Sequence, residues 1–247
     1  MTTGALEVFE HRATYAEADG RDAWIVRAIA AWIGSTLPPL LASRVDGPVL
    51  DVGCGEQPFR TAVAGSGHSY IGMDVVQNSA GTVDIIGSLD GLPHPWPRAE
   101  SRYSLLLCTE VLEHVADIDA AFANLRRLTA PRGVVVITTP FMFPLHMEPF
   151  DYRRLTVHGL TRLASTHGFQ VERLDRLGAP AHVAATLIAD LSIQPARRSP
   201  LVRARVAMLR MAARASVRWL QNDRNGRDIV INGNAYLGNG AVLRAEG

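Results

Sequence analysis

Five short apolar runs, most of them bounded by glycine or proline, constrain this chain more than any other feature. They are PVLDVG (48–53), SYIGMDVV (69–76), VDIIGSL (83–89), YSLLLCTEV (103–111) and GVVVITTPF (133–141). Short runs rich in β-branched residues, without a polar alternate position, suit strands covered on both faces of a parallel sheet. Between the fourth and fifth runs, Val115, Ile118, Ala121, Phe122, Leu125 and Leu128 recur at helical spacing, and Pro131 and Gly133 close the segment. Strand, helix and strand make a right-handed βαβ crossover, and their alternation predicts a doubly wound α/β fold.

The flanks extend this pattern. Trp24, Ile25, Ala28, Ile29, Trp32 and Ile33 predict a helix within 21–45 that ends at Pro38 and Pro39. TVHGLTRLASTHG reads as a helix with Thr156 as N-cap and Gly168 beyond its end, followed by a strand, FQVERLDRLG. Residues 179–228 break the rhythm with an apolar helix and then an arginine-rich stretch. NAYLGNGAVLRA (234–245) reads as two short β runs around a Gly-Asn-Gly turn. The expected organisation is one domain over 1–247: a helical N-terminal cap (1–45), a ligand-binding core (46–178), a helical lid or insertion (179–228) and the final strands (229–247).

A chain of 247 residues is long enough for one sizeable α/β core. Its net charge of +1 supplies no global attraction to nucleic acid or membrane. Every basic side chain apart from histidine is arginine, which reads as the trace of a GC-rich genome. Cys54 and Cys108 sit inside apolar runs and read as buried, reduced thiols. With no apolar leader and no run long enough to span a bilayer, the expectation is a soluble cytoplasmic protein without a transmembrane segment.

The sharpest local signal is Asp51-Val52-Gly53-Cys54-Gly55 at the end of the first run. Glycines there permit a sharp turn and close approach of a ligand to the backbone, while Asp51 can accept from a cationic amine. The plainer reading is a strand-to-helix connector. A dinucleotide fingerprint would place glycine where Pro58 stands, which weakens a pyrophosphate reading. Asp74 ends the second run, where an acidic side chain is placed to accept both ribose hydroxyls of an adenosine. Its plainer reading is a turn residue.

Taken together, VLDVGCG, YIGMDV, GSLDGLPHPWP, YSLLLCTEVLEHV and RLTAPRGVVVITTPF resemble the class I S-adenosylmethionine-dependent methyltransferase family, in order and spacing, over about 46–177. The resemblance implies a Rossmann-like α/β fold with a seven-stranded sheet of order 3-2-1-4-5-7-6, strand seven antiparallel. It implies S-adenosylmethionine (SAM) as cofactor. Asp51, Gly53 and Gly55 would hold its methionine portion, Asp74 and Val75 the ribose, and Ser88 and Leu89 the adenine. Relatives carry an acidic residue where Ser88 stands. Cys108 and Thr109 would lie beside the methyl sulfonium.

Glu110, Glu113 and His114, read as the first turn of a helix, would share one face. His146 follows the fifth run, also at the carboxyl edge of the sheet. Two readings stand side by side. In one, His114 or His146 is a general base for a hydroxyl acceptor, with Glu113 beside it. In the other, Glu110, Glu113, His114 and His146 bind a divalent cation such as Mg²⁺ that grips the acceptor oxygen. The pattern is similar to small-RNA 2′-O-methyltransferases of plant type and to ubiquinone-pathway O-methyltransferases, which hold a metal this way. A third reading leaves Glu113 as a helix-start acid and His114 as packing.

The loop His146-Met-Glu-Pro-Phe-Asp151-Tyr152-Arg153 also resembles methyltransferases of polysaccharide and glycolipid gene clusters, which implies Asp151, Tyr152 and Arg153 as substrate contacts and a sugar hydroxyl as acceptor. Asp151 reads equally well as a helix cap. The rivals are a natural-product or quinone-type O-methyltransferase and a non-catalytic SAM-binding or membrane-associated module. CTEV stands where exocyclic-amine methyltransferases carry an Asn/Asp-Pro-Pro turn, so no nucleic acid is expected. Arg197, Arg198, Arg203, Arg205, Arg210, Arg214 and Arg218, set among apolar residues, read as a solvated face, a homodimer contact or a peripheral membrane contact over 197–218.

Overall fold

The computed structural model describes residues 21–43, 47–93, 96, 102–192, 194, 199–221 and 233–247. The N-terminal part of the expected cap, Arg197 and Arg198, and the first of the expected final-strand residues lie outside these. The elements run α1 (Ala23–Ala42), β1 (Val49–Val52), α2 (Arg60–Gly65), β2 (Tyr70–Asp74), β3 (Ile85–Ile86), β4 (Tyr103–Thr109), α3 (Ile118–Leu128), β5 (Thr129–Pro140), α4 (Val157–Thr166), β6 (Phe169–Leu177), α5 (Pro180–Asp190), α6 (Pro200–Gln221) and β7 (Gly238–Ala245). The seven strands form one sheet of order β3-β2-β1-β4-β5-β7-β6. β1 pairs in parallel with both β2 and β4, so the strand order reverses beside it. β7 is antiparallel to β5 and β6. Loops leaving β1 and β4 therefore meet at the carboxyl edge, where open α/β sheets hold ligands.

Both sheet faces are covered, which is why the central strands carry no polar alternation. On one face Leu50, Val52, Leu106 and Val135 pack with Phe122, Leu125 and Leu160 of α3 and α4. On the other, Val49, Leu105, Leu107 and Val136 pack with Trp24, Ile29, Trp32 and Ile33 of α1. By length and composition α1 could cross a membrane, yet here its apolar face lies against the sheet.

Four local expectations are corrected. Helix α1 runs through Pro38 and Pro39 rather than ending there. An internal proline costs about 3 kcal/mol, and burying Leu37 and Leu41 on either side of the pair offsets it at about 1.5–3 kcal/mol each. Gly238-Asn239-Gly240 is not a turn but lies within the single strand β7. Its glycines serve close approach: a Cβ on Gly240 would sit 2.6 Å from the Trp32 ring, and one on Gly238 2.8 Å from the Thr139 carbonyl oxygen. Pro131 and Gly133 belong to β5, because α3 already stops at Leu128. Finally, 110–115 is a turn, not the start of α3; the helix begins at Ile118, where the Asp117 side chain accepts from the Ala120 N–H at 3.0 Å. The Thr156 cap of α4 stands as expected, its hydroxyl accepting from Gly159 N–H at 3.0 Å.

Candidate active site

The loop after β1 is shaped by its glycines and tied down from β2. Gly53 and Gly55 have φ of 69° and 50°. A Cβ on Gly53 would meet Val111 Cγ2 at 2.2 Å. The N–H groups of Gly53 and Cys54 both donate to the Met73 carbonyl, at 2.8 and 3.0 Å, and Gly55 N–H donates to Asp74 Oδ2 at 2.8 Å. Gln57, itself at φ 58°, is buried and locks the far side: its Nε2 donates to Thr82 O at 2.8 Å, and its Oε1 accepts from Thr82 and Arg60. Sequence reasoning passed over Gln57, because a glutamine in a loop carries no signal until its distant partner is known.

Asp74 lines a cavity of about 140 Å³ together with Val75, Ser88, Leu89, Phe150 and Tyr152. Its Oδ1 accepts from Val75 N–H at 2.7 Å. Ser88 donates to Asp90, which also accepts from the N–H groups of Ala116 and Asp117 at 2.8 and 3.1 Å. These bonds hold the Asp90 carboxyl below the usual range against the opposing effect of burial. Asp90, unassigned in the sequence reading, thus ties the loop after β3 to the turn after β4. Asp51 lies one layer below: it is buried, lines neither cavity, and accepts from the Tyr70 hydroxyl at 2.5 Å. Burial pushes its carboxyl up to about 7.

A second cavity, of about 320 Å³, shares Gly53, Glu110 and His114 with the first. Ile25, Val26 and Ile29 of α1, with Phe59, Phe143 and Met147, supply an apolar part of its remaining wall, and Arg21, Asp22 and Glu56 a charged part. At the common wall stands the acidic turn. Glu110 adopts φ 54° while its N–H donates to Thr138 O at 3.0 Å, and burial next to Glu113 pushes its carboxyl up. Glu113 is fully buried, and neither carboxylate oxygen has a hydrogen-bond partner among the described residues. Its Oε1 lies 3.6 Å from His114 Nε2 and 3.8 Å from His146 Nε2. His114 Nδ1 is 2.8 Å from the Phe150 carbonyl, which can only accept. The proton of the neutral ring therefore sits on Nδ1, and Nε2 presents its lone pair toward Glu113. Burial holds this imidazole below its ordinary pKa.

Ligand atoms of Glu113, His114 and His146 all lie within 4.8 Å of one another. Glu110 falls outside that group, because the residues after it form a turn rather than the helix that would have aligned it. The donor set fits a divalent cation: one carboxylate and two imidazoles converge, and neither oxygen of the buried carboxylate has a hydrogen-bond partner among the described residues.

The loop after β5 frames this cluster differently from the sequence expectation. Asp151 does not open toward a substrate; its side chain is 1% exposed. It accepts from both Arg154 terminal nitrogens and from His146 N–H at 2.9 Å. Its Oδ2 also lies 3.3 Å from His146 Nδ1, an ionic contact without hydrogen-bond alignment. Arg153 is likewise turned inward, donating to the carbonyls of Leu112, Val115 and Ala116. Both residues brace the acidic turn and its histidines. Tyr152 is half-exposed and lies on the Asp74 side, away from the larger cavity. Cys108 is fully buried in the sheet and reaches neither cavity, whereas its neighbour Thr109 lines the larger one, since side chains alternate along a strand. Cys54 is buried and borders the larger cavity.

A family model described as a methyltransferase domain matches residues 24–178. A ubiquinone biosynthesis O-methyltransferase of Rickettsia prowazekii is 30% identical over 98 residues, 37% of this chain and 39% of that protein. A protein of Mycolicibacterium smegmatis described as a "Probable S-adenosylmethionine-dependent methyltransferase" is 31% identical over 153 residues, 56% of this chain and 57% of its own length. The matched regions thus span less than two thirds of these relatives. The crystal structure of a SAM-dependent methyltransferase from Archaeoglobus fulgidus superposes with a TM-score of 0.53 at 13% identity, covering 98% of this chain and all of that one, a likeness of fold.

Proposed function

The chain belongs to the methyltransferase-domain family, and from that premise we propose that it transfers a methyl group from SAM to a hydroxyl of a small, largely apolar acceptor. The donor's adenosine occupies the cavity beside Asp74, and its methyl group faces the larger cavity across the wall formed by Gly53, Glu110 and His114. The acceptor oxygen attacks the methyl carbon in line, the carbon–sulfur bond breaks, and the sulfonium leaves as a neutral thioether. Because that leaving group is already activated, the protein's work is alignment, water exclusion and removal of the hydroxyl proton.

The observation that carries this reading is the unpartnered Glu113 carboxylate, buried between two imidazole Nε2 atoms. A buried carboxylate whose oxygens have no hydrogen-bond partner is costly; Arg154 acts on it only through space, and the neutral His114 adds no charge. Glu113, His114 and His146 would hold a divalent cation. Such an ion would lower the pKa of a bound acceptor hydroxyl. Should no cation be taken up, His114 Nε2 is the group positioned to receive the proton, and turnover then survives chelation.

The apolar part of the larger cavity's wall supports one acceptor class. Ile25, Val26, Ile29, Phe59, Phe143 and Met147 suit a phenol or a reduced quinone better than a polyhydroxylated sugar. The case for a sugar rested on Asp151, Tyr152 and Arg153, and two of these are engaged within the protein. The name of the Rickettsia relative points to the same acceptor class. Labelled SAM with matched panels of catechols, hydroquinones and sugars tests this, before and after EDTA and with Mg²⁺ restored. Transfer to the phenolic panel, abolished by EDTA and recovered with Mg²⁺, is the expected result. Transfer to sugars alone overturns the acceptor class, chelator-insensitive turnover overturns the metal, and SAM binding without transfer to any acceptor favours a non-catalytic module.

A further inference from the structure

Helix α6 carries two apolar faces. Val202, Val206, Ala213 and Val217 lie on the side turned toward α5, where Val206 is 8% exposed and the others are half-buried. Half a turn away, Leu201, Met208, Met211, Ala215 and Trp219 recur at i, i+7, i+10, i+14 and i+18, and all are exposed. Leu201 and Met211 reach 75% and 67% exposure. Along one flank between the faces run Arg203, Arg210, Arg214 and Arg218, with Arg205 on the other flank and no acidic residue anywhere on the helix. Arg210, Arg214 and Arg218 also line a cleft of about 490 Å³ between α5 and α6, with Ser192 at its edge.

We propose that α6 docks on an anionic phospholipid bilayer: the outer stripe enters the acyl boundary and the arginines engage headgroup phosphates, those facing the cleft included. A merely solvated helix does not need leucine, methionine and tryptophan on its outer side. A second copy is a poor occupant, because facing helices would oppose arginine to arginine with no carboxylate on either to pair. An anionic surface satisfies both features at once, since arginine stems can lie along the apolar stripe while their guanidinium groups stay at headgroup level. This inference is independent of the acceptor and of the metal.

Co-sedimentation of the full chain with extruded vesicles tests it. Vesicles of equimolar phosphatidylcholine and phosphatidylglycerol should carry the protein down, vesicles of phosphatidylcholine alone should not, and added salt should release it. Arg214→Gln with Arg218→Gln should weaken binding at least about tenfold, given the usual worth of a basic residue near an anionic surface. Met208→Asp with Met211→Asp should abolish it. All four side chains are exposed, so circular dichroism and SAM affinity should be unchanged in both variants. Absence of sedimentation with anionic vesicles at low salt overturns the proposal, as does sedimentation that neither variant weakens. A dimer by light scattering that Met208→Asp with Met211→Asp converts to monomer assigns the face to a second copy and overturns it equally.

Discussion

Asp151 accepts from the backbone N–H of His146 at 2.9 Å and stands 3.3 Å from its ring Nδ1 without hydrogen-bond alignment, while the ring's Nε2 lies 3.8 Å from Glu113. A carboxylate behind an imidazole sets ring orientation and basicity without touching a substrate, and removing such a partner commonly costs 10–100-fold in activity or metal affinity. Asp151→Asn keeps the volume and the acceptor for His146 N–H but removes the charge. The expected outcome is a kcat lowered by roughly 10–100-fold with an unchanged calorimetric Kd for SAM. Loss of SAM affinity in proportion to kcat would show that the loop merely supports the cofactor cavity.

Asp74 has a double task, because the carboxylate that borders the smaller cavity also accepts from Gly55 and Val75 N–H groups. Replacing it with alanine removes a charged acceptor from ligand and loop together. Hydrogen bonds to charged groups are worth about 1.5–3 kcal/mol. SAM affinity, measured by calorimetry on folded protein, should therefore fall by about 10–100-fold; an unchanged affinity would remove Asp74 from the cofactor site.

The positions of the strands, of the Gly53–Gly55 turn and of Asp74 were legible because each is a short-range pattern, whereas the strand order followed only from the family resemblance. An apolar run closed by glycine, or an acidic residue at a strand end, declares its place without its partners. What escaped the sequence depends on partners far along the chain. Gly240 looks like a turn residue until Trp32 is found above it, and Gln57 like loop filler until Thr82 closes on it. Asp151 and Arg153 carry the chemistry of substrate contacts, and only the coordinates reveal that Arg154 and the carbonyls of 112–116 claim them. The two prolines in α1 misled for a different reason: local propensity opposes a helix there, and burial of Leu37 and Leu41 overrides it.

Asp51 makes the stability of the fold depend on pH below neutrality. Burial raises its folded-state pKa to about 7, against about 3.9 for an unfolded aspartate. The folded chain therefore holds a proton that the unfolded chain has released, and stability falls as pH rises from about 4 to about 7, then levels. Asp51→Asn should flatten this dependence and raise the melting temperature of the ligand-free protein at pH 8. A pH profile unchanged in the variant would place the titrating group elsewhere.

Gly53 brings the loop after β1 up against Val111 of the acidic turn. A methyl group added there would lie 2.2 Å from Val111 Cγ2, and φ of 69° disfavours any L side chain. Strain of the second kind costs about 1–3 kcal/mol on its own. Gly53→Ala should thus destabilise the fold by that amount plus the cost of displacing Val111, which lines the smaller cavity next to Glu110, a residue of the wall common to both. The double variant Gly53→Ala with Val111→Ala separates the two effects. Removing the valine should restore the part due to the clash and leave the part due to backbone conformation. Chemical denaturation of the wild type and three variants measures the coupling directly. If the two single changes simply add, with no recovery in the double variant, then the loop and the turn are not in the contact described, and the wall they share loses its physical basis.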